Sequence, residues 1–67
     1  MKKLHIKAVA TNMTTKMEKV LNTFRIGMND WDKTKTFNTQ GQDVVIYTIL
    51  CEDDTFESIK EIMKHNV

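Results

Sequence analysis

The stretch Asp43–Cys51, which reads DVVIYTILC, decides the fold of this 67-residue chain. After its first residue it is an apolar run interrupted only by Thr48, rich in β-branched side chains and followed by charged residues. A run of this length and composition is typical of a strand that is covered on both faces. In so small a chain that strand is expected to be the central one, and the other segments can be placed around it.

The first third of the chain predicts a strand followed by a helix. In residues 2–10, small or apolar side chains alternate with other residues, which predicts a strand whose buried face carries them. These side chains are Leu4, Ile6, Ala8 and Ala10, and the alternation leaves His5 facing outward. Apolar residues at helical spacing then predict a helix over residues 13–26. Thr15 and Glu18 suit a capping box at its start, Asn12 is an alternative N-cap, and Gly27 suits its end.

The remaining segments predict a hairpin and a second helix. Residues 31–39, WDKTKTFNT, have strand-like spacing, and their lysines suit an edge strand. Gln40-Gly41 is a turn that joins this strand to the central one, with Gly41 expected to need a positive φ. The last helix begins at the acidic cluster around Asp54 and runs almost to Val67, with an apolar stripe on its inner side.

The order of elements is therefore β-α-β-β-α, which predicts one α+β domain over residues 1–67. The simplest arrangement is a three-stranded antiparallel sheet in the order 1-3-2, with both helices on one face because crossovers are right-handed. This topology resembles a truncated ferredoxin-like unit that lacks its fourth strand. Ligand-sensing modules of the ACT type and many small nucleic-acid binders use the same scaffold, so the resemblance implies no particular activity.

Composition limits the classes of protein to which the chain can belong. Its single cysteine, Cys51, excludes an internal disulfide and a cysteine-rich zinc site, and is expected to be a buried hydrophobe in a reducing cytosol. No apolar run approaches the roughly 20 residues that span a membrane, so we expect a soluble, cytoplasmic protein. Heavy use of Asn, Lys, Thr, Ile and Met suggests an AT-rich gene, compatible with a phage or mobile element.

The charges are divided unevenly along the chain, although the net charge is only +1. Residues 1–35 contain eight Lys/Arg and three Asp/Glu, a balance of +5, whereas residues 36–67 contain two Lys and six Asp/Glu, a balance of −4. Such a division can result from packing alone. It can also orient the protein on a charged partner or pair two copies.

Few residues are candidates for catalysis or metal binding. His5 and His65 stand at opposite ends of the chain without ligand spacing, and the only serine, Ser58, has no neighbouring base. The acidic cluster at residues 52–57 lacks the spacing of a calcium loop and is explained by helix capping. We therefore expect no enzymatic activity, no metal and no cofactor.

The absent fourth strand suggests two open surfaces. The outer edge of the first strand has no neighbour, and open edges favour strand addition. If alternate residues of the central strand face the helices, starting with Val44, the others face away and form an apolar patch with Val9. We therefore predict a homodimer, or an obligate partner, bound through the first-strand edge or through that patch, whose self-association residues are Val9, Val45, Tyr47 and Ile49.

A second surface is predicted on the edge strand, where Trp31, Lys33, Lys35 and Phe37 share one face and offer an aromatic and basic contact for a protein partner. The leading hypothesis is a small, dimeric, non-catalytic protein-binding module that inhibits or modulates a larger protein. The alternative is a nucleic-acid-binding regulator that uses lysines and aromatic residues on the sheet face, although the near-neutral charge and the missing RNP1 motif argue against it. A third possibility is an ACT-like ligand sensor.

Overall fold

The computed structural model describes residues 1–64 and confirms the predicted order of elements. Strand β1 (Lys3–Ala10) leads through one 3₁₀ turn (Thr11–Met13) into helix α1 (Thr14–Thr23). Strands β2 (Trp31–Phe37) and β3 (Asp43–Cys51) form a hairpin, and helix α2 (Asp53–Lys64) follows. The predicted end of the last helix near Val67, and His65, lie outside the described residues.

The three strands form an antiparallel sheet in the order β1-β3-β2, as predicted. Strand β3 pairs with β1 from Lys3–Cys51 to Ala10–Val44, and with β2 from Trp31–Ile49 to Phe37–Asp43. Within residues 3–51 both ladders keep one register without a bulge. Because directly opposed residues project to the same side of a sheet, this register assigns every strand residue to one of two faces.

The helices cover the face that the sequence assigned to the outside. Val9, Val45, Tyr47 and Ile49, predicted to form an exposed self-association patch, are all buried. They form the floor of the core, together with Cys51, and pack under buried residues of both helices. These helix residues are Met17, Val20 and Leu21 on α1, and Phe56, Ile59 and Met63 on α2. The predicted orientation of the central strand is therefore wrong.

The same inversion applies to β1. Its alternating apolar residues were predicted to be buried, yet Leu4 is 70% exposed and Ile6 is 68% exposed. Their neighbours His5 and Lys7 lie on the helix side, where amphipathic side chains can cover apolar surface with their stems and rings. Because successive side chains of a strand project to opposite faces, one wrong assignment of the residues that face the helices inverts the predicted faces of the whole sheet.

Helix α1 ends earlier than the sequence predicted. Its last residue is Thr23, and Arg25 takes a left-handed φ of 59°. The N–H of Ile26 donates to the Leu21 carbonyl at 2.9 Å, and the N–H of Arg25 donates to the Asn22 carbonyl at 3.0 Å. These two bonds are the pattern of a Schellman cap, which normally uses glycine where Arg25 stands. The predicted closing residue, Gly27, lies two positions further along.

Candidate interaction surfaces

The sheet face that the helices leave uncovered is apolar and almost free of charge. Its residues are Leu4, Ile6, Ala8 and Ala10 of β1, Val44, Ile46, Thr48 and Leu50 of β3, and Asp32, Thr34 and Thr36 of β2. We call this surface the open face. Within the described strands, Asp32 at the sheet border is its only charged residue, since every strand lysine has the opposite orientation.

The free edge of β1 carries backbone groups that have no partner in the described part of the chain. The N–H of Leu50 donates to the carbonyl of Asp30, directly before β2, at 2.7 Å. Every second residue of β3, counted from Leu50, therefore directs its backbone groups toward the β2 side and away from β1. By the antiparallel alternation, Leu4, Ile6 and Ala8 then direct their N–H and C=O groups outward. The residues with open-face side chains in β1 are thus also those with edge-facing backbone groups.

Strand β2 exposes most of the face that it turns toward the helix side of the sheet. Trp31, Lys33, Lys35 and Phe37 share this face, as predicted, and we call them the ledge. Trp31 is half-buried, with its ring 5.7 Å from the Tyr47 ring, whereas Phe37 is 70% exposed. Their role in binding a partner remains a prediction.

An open groove separates the Trp31 end of the ledge from helix α1, and Met28, which is 85% exposed, stands beside it. Both walls of the groove contribute a cation, Lys19 from the helix and Lys33 from the strand. Glu18 lines the same groove and pairs with Lys33, so Lys19 is the cation of the groove that has no ion-pair partner within residues 1–64.

Glu18 connects helix α1 to both strands of the hairpin. The Tyr47 hydroxyl donates to Glu18 Oε2 at 2.9 Å, and Lys33 Nζ donates to the same oxygen at 3.0 Å. The hydrogen bond from Lys33, followed by that from Tyr47, holds the pKa of Glu18 below its ordinary value. Burial, followed by the Glu18 contact, raises the pKa of Tyr47 far above its ordinary value. Glu18 therefore serves this network and not the capping box predicted with Thr15.

His5 belongs to a small cluster at the start of α2, and its predicted outward orientation is wrong. Its ring stacks on Phe56 with centroids 4.3 Å apart and planes 13° apart. Its Nε2 lies 3.2 Å from Asp53 Oδ1, but the alignment is too poor for a hydrogen bond. Lys3 Nζ lies 3.4 Å from the other oxygen of Asp53, so this carboxylate joins β1 to the first turn of α2.

Cys51 is buried, as its place in the apolar run predicted. Burial, followed by the nearby charges of Asp53 and Glu52, raises the pKa of its thiol. Because the thiolate is the reactive form, this environment makes Cys51 a poor nucleophile. Among residues 1–64, no three metal-ligating side chains come together. No helix formed by these residues has the length and apolar character needed to cross a membrane.

The structure does not favour an oligonucleotide on the sheet face. Lys3, Lys7, Lys33 and Lys35 share one face, but it is the face toward the helices, and Tyr47 is fully buried there. The open face has no Lys or Arg on the described strands, so it offers no cation to a phosphate backbone. Nucleic-acid binding stays a prediction that only the ledge and the other exposed lysines still support.

Comparison with known proteins found no matching family model, curated protein or solved structure. What the chain does is therefore inferred from its own surfaces.

Proposed function

We propose that this chain is a small protein-binding module without catalytic activity, which acts as a dimer and inhibits or modulates a larger protein. The observation that carries the proposal is the open face, an exposed apolar sheet surface that no element within residues 1–64 covers. Contiguous apolar patches of this kind usually mark contact sites.

The dimensions of the open face decide how much it contributes. Strands of about eight residues at about 3.3 Å per residue, three abreast at about 4.8 Å, give a footprint of about 380 Å², of which the more apolar strands β1 and β3 supply about 250 Å². The whole footprint is within the range of about 300–600 Å² for the largest patch on a typical monomer, and its more apolar part is just below that range. A stable interface buries about 800 Å² on each partner, so the open face alone supports only a weak contact. A firm complex therefore needs a second surface.

The ledge supplies that second surface for the larger partner. Phe37 and Trp31 offer aromatic anchors, a residue class enriched at binding hot spots. Lys33 is occupied by Glu18, but within residues 1–64 neither Lys19 nor Lys35 has an ion-pair partner. The partner that fits is an acidic protein surface with a recess for an aromatic ring, since complementary charge favours the encounter and the ring supplies the buried contact.

A capture experiment with matched variants tests the role of the ledge. The tagged chain is incubated with lysate of the organism that encodes it, with and without nuclease. The double variant Lys35→Glu/Phe37→Ala alters two exposed ledge residues, and Lys64→Glu makes the same charge change on α2. We expect a stoichiometric, nuclease-resistant protein that the ledge variant loses and the α2 variant retains. Equal capture by both variants, or none by the unmodified chain, contradicts the role of the ledge.

The same experiment separates the nucleic-acid alternative. Captured material that disappears after nuclease treatment indicates that the lysines bind phosphate and not a protein. In that case the affinity falls steeply between low and moderate salt, because each phosphate contact releases a counterion.

A further inference from the structure

We propose that two copies of this chain pair through the free edges of β1, antiparallel around a two-fold axis at Ile6, to form a continuous six-stranded sheet. This deepens the proposed function and rests on its dimer, but it does not depend on the larger partner.

The backbone of β1 is already arranged for this pairing. Leu4, Ile6 and Ala8 direct their N–H and C=O groups outward, as the Leu50–Asp30 hydrogen bond establishes. An axis at Ile6 places Ile6 opposite Ile6 of the second copy and Leu4 opposite Ala8 of the second copy. Each such pair exchanges two backbone hydrogen bonds, so the edge gains about six. If two copies instead packed open face against open face, their sheets would form no backbone hydrogen bonds with each other.

The edge of β1 lacks the features that usually prevent such pairing. The chain contains no proline, and β1 has no bulge over residues 3–10. Its two lysines, Lys3 and Lys7, lie on the helix side and leave the open-face side of the edge apolar. The other free edge is better protected, because the Asp32 carboxylate accepts the outward N–H of Lys33 at 2.8 Å. Strand β1 is therefore the edge that accepts a second copy.

Charge disfavours the two registers next to the one with its axis at Ile6. An axis at His5 sets Lys3 opposite Lys7 of the second copy, and an axis at Lys7 sets two copies of Lys7 against each other. Like charges directly opposite each other destabilise a strand pair. The axis at Ile6 avoids both conflicts, because Lys7 then lies opposite His5 of the second copy and Lys3 lies opposite Val9 of the second copy.

The same register brings opposite charges together across the axis. His5 lies against Asp53, and the first turn of α2 carries both Asp53 and Asp54. Within residues 1–64 Lys7 has no ion-pair partner of its own, so it can approach this acidic turn in the second copy. Because of the two-fold symmetry, this contact between Lys7 and the acidic turn occurs twice in the pair. This pairs a lysine from the basic first half of each chain with an acidic turn from the second half of the other.

A set of cysteine variants tests both the edge and the register. Opposed residues of a hydrogen-bonded pair have Cα atoms about 5.5 Å apart, which a disulfide can span. Ile6→Cys is therefore expected to cross-link with itself under mild oxidation. Leu4→Cys and Ala8→Cys are expected to cross-link only when the two are mixed, because identical positions lie about 13 Å apart across the axis. The unmodified chain is the control, since Cys51 is buried.

A proline variant tests the hydrogen bonds without relying on a cross-link. Ile6→Pro removes an N–H that points away from β3, so the sheet within one copy loses no bond. Lys35→Pro makes the matched change at the free edge of β2. By sedimentation equilibrium, Ile6→Pro is expected to weaken the dimer about 10- to 30-fold, through the loss of two interchain bonds. Lys35→Pro is expected to leave the dissociation constant unchanged. Circular dichroism verifies that both variants fold.

Each outcome bears on one part of the proposal. Self-linking of Leu4→Cys as fast as that of Ile6→Cys, or equal weakening by both prolines, overturns the edge pairing and leaves a dimer of another geometry. A chain that sediments as a monomer at about 1 mM overturns the edge pairing and the proposed dimer together. Neither result affects capture of a larger partner through the ledge, which is measured separately.

Discussion

Among single residues, Arg25 has the least favourable backbone conformation. It takes a left-handed φ of 59° in the cap of α1, where a side chain with a Cβ costs about 1–2 kcal/mol. The buried contact between Ile26 and the core holds it there, because the Schellman bonds direct Ile26 inward only if residue 25 turns left-handed.

Replacement of Arg25 with glycine is therefore expected to stabilise the chain. Arg25→Gly removes the left-handed cost but adds freedom to the unfolded chain, for a net gain of about 0.5–1 kcal/mol in the free energy of unfolding. Urea denaturation measures it. Gly27→Ala is the control. Gly27 has no positive φ and an added Cβ meets no atom within 4 Å, so this substitution is expected to cause no loss of stability. A loss of stability in Arg25→Gly contradicts the cap described above.

The ionisation of Tyr47 is linked to stability. Its hydroxyl is buried and donates to Glu18, which raises the pKa of Tyr47 in the folded state. A raised folded pKa means that the contribution to stability is complete below the unfolded value of 10.0 and is lost as the pH rises from there. Glu18 behaves in the opposite sense, because its lowered pKa gives stability above 4.5 that is lost as the pH falls.

Alkaline titration tests this prediction directly, because Tyr47 is the only tyrosine. Absorbance of tyrosinate near 295 nm is expected to rise only as the chain unfolds, and not in a separate step near the ordinary pKa. The variant Tyr47→Phe is expected to lose about 1–2 kcal/mol at neutral pH but to have a flatter stability profile from about pH 9 to about pH 11. Tyrosinate formation with the fold intact contradicts the buried hydrogen bond.

Among the elements, β3 decides where the core and the exposed surfaces lie. Its buried residues alternate with half-buried ones from Val44 to Cys51, and both sets are largely apolar. The buried set faces α1 and α2, while Val44, Ile46 and Leu50 lie on the open face. Adjacent valines of the same strand therefore belong to different environments.

This difference predicts unequal responses at two neighbouring positions. Val45→Thr places a hydroxyl in the core without a partner and is expected to cost about 1–3 kcal/mol. Val44→Thr places it on the open face, where a change of less than about 0.5 kcal/mol is expected. Urea denaturation at low protein concentration compares the two variants under conditions that limit dimerisation. A larger loss of stability in Val44→Thr than in Val45→Thr would instead support the orientation of β3 that the sequence predicted.

For the molecule as a whole, size makes association important. A chain of about 60–70 residues buries only about 60% of its unfolded surface and is marginally stable. The described core contains twelve buried apolar residues, with no disulfide to support them. Any contact that the folded state alone can make adds to stability by mass action. A dimer through β1 therefore also affects how well each copy folds.

The thermal midpoint is consequently expected to depend on protein concentration. Once the dimer predominates, each tenfold increase adds about 0.7 kcal/mol per chain, which raises the midpoint by about 3–5 °C. The variant Ile6→Pro is expected to lose this dependence over the same concentrations, whereas Lys35→Pro keeps it. Differential scanning calorimetry of all three chains provides the measurement. A midpoint that stays constant for the unmodified chain contradicts dimer-linked folding.

The sequence by itself determined the elements and their order. The apolar run of β3, the helical spacing of Met13 and Met17, and the turn at Gly41 are local patterns, and local patterns fix local structure. They also fixed which residues share a face, so the ledge of Trp31, Lys33, Lys35 and Phe37 was found from spacing alone. Gly41 takes its expected positive φ of 79° for the same reason.

Only the tertiary structure decided which face of the sheet the helices cover. Strand β3 is apolar on both sides, so its composition cannot show which side the helices cover. In β1 the stronger apolar alternation, at Leu4 and Ile6, proved to be the exposed one. The helices accept His5 because Phe56 stacks on its imidazole, and Lys7 is half-buried on the same face. The open face lies on that side of the sheet because of this packing, which no local pattern encodes.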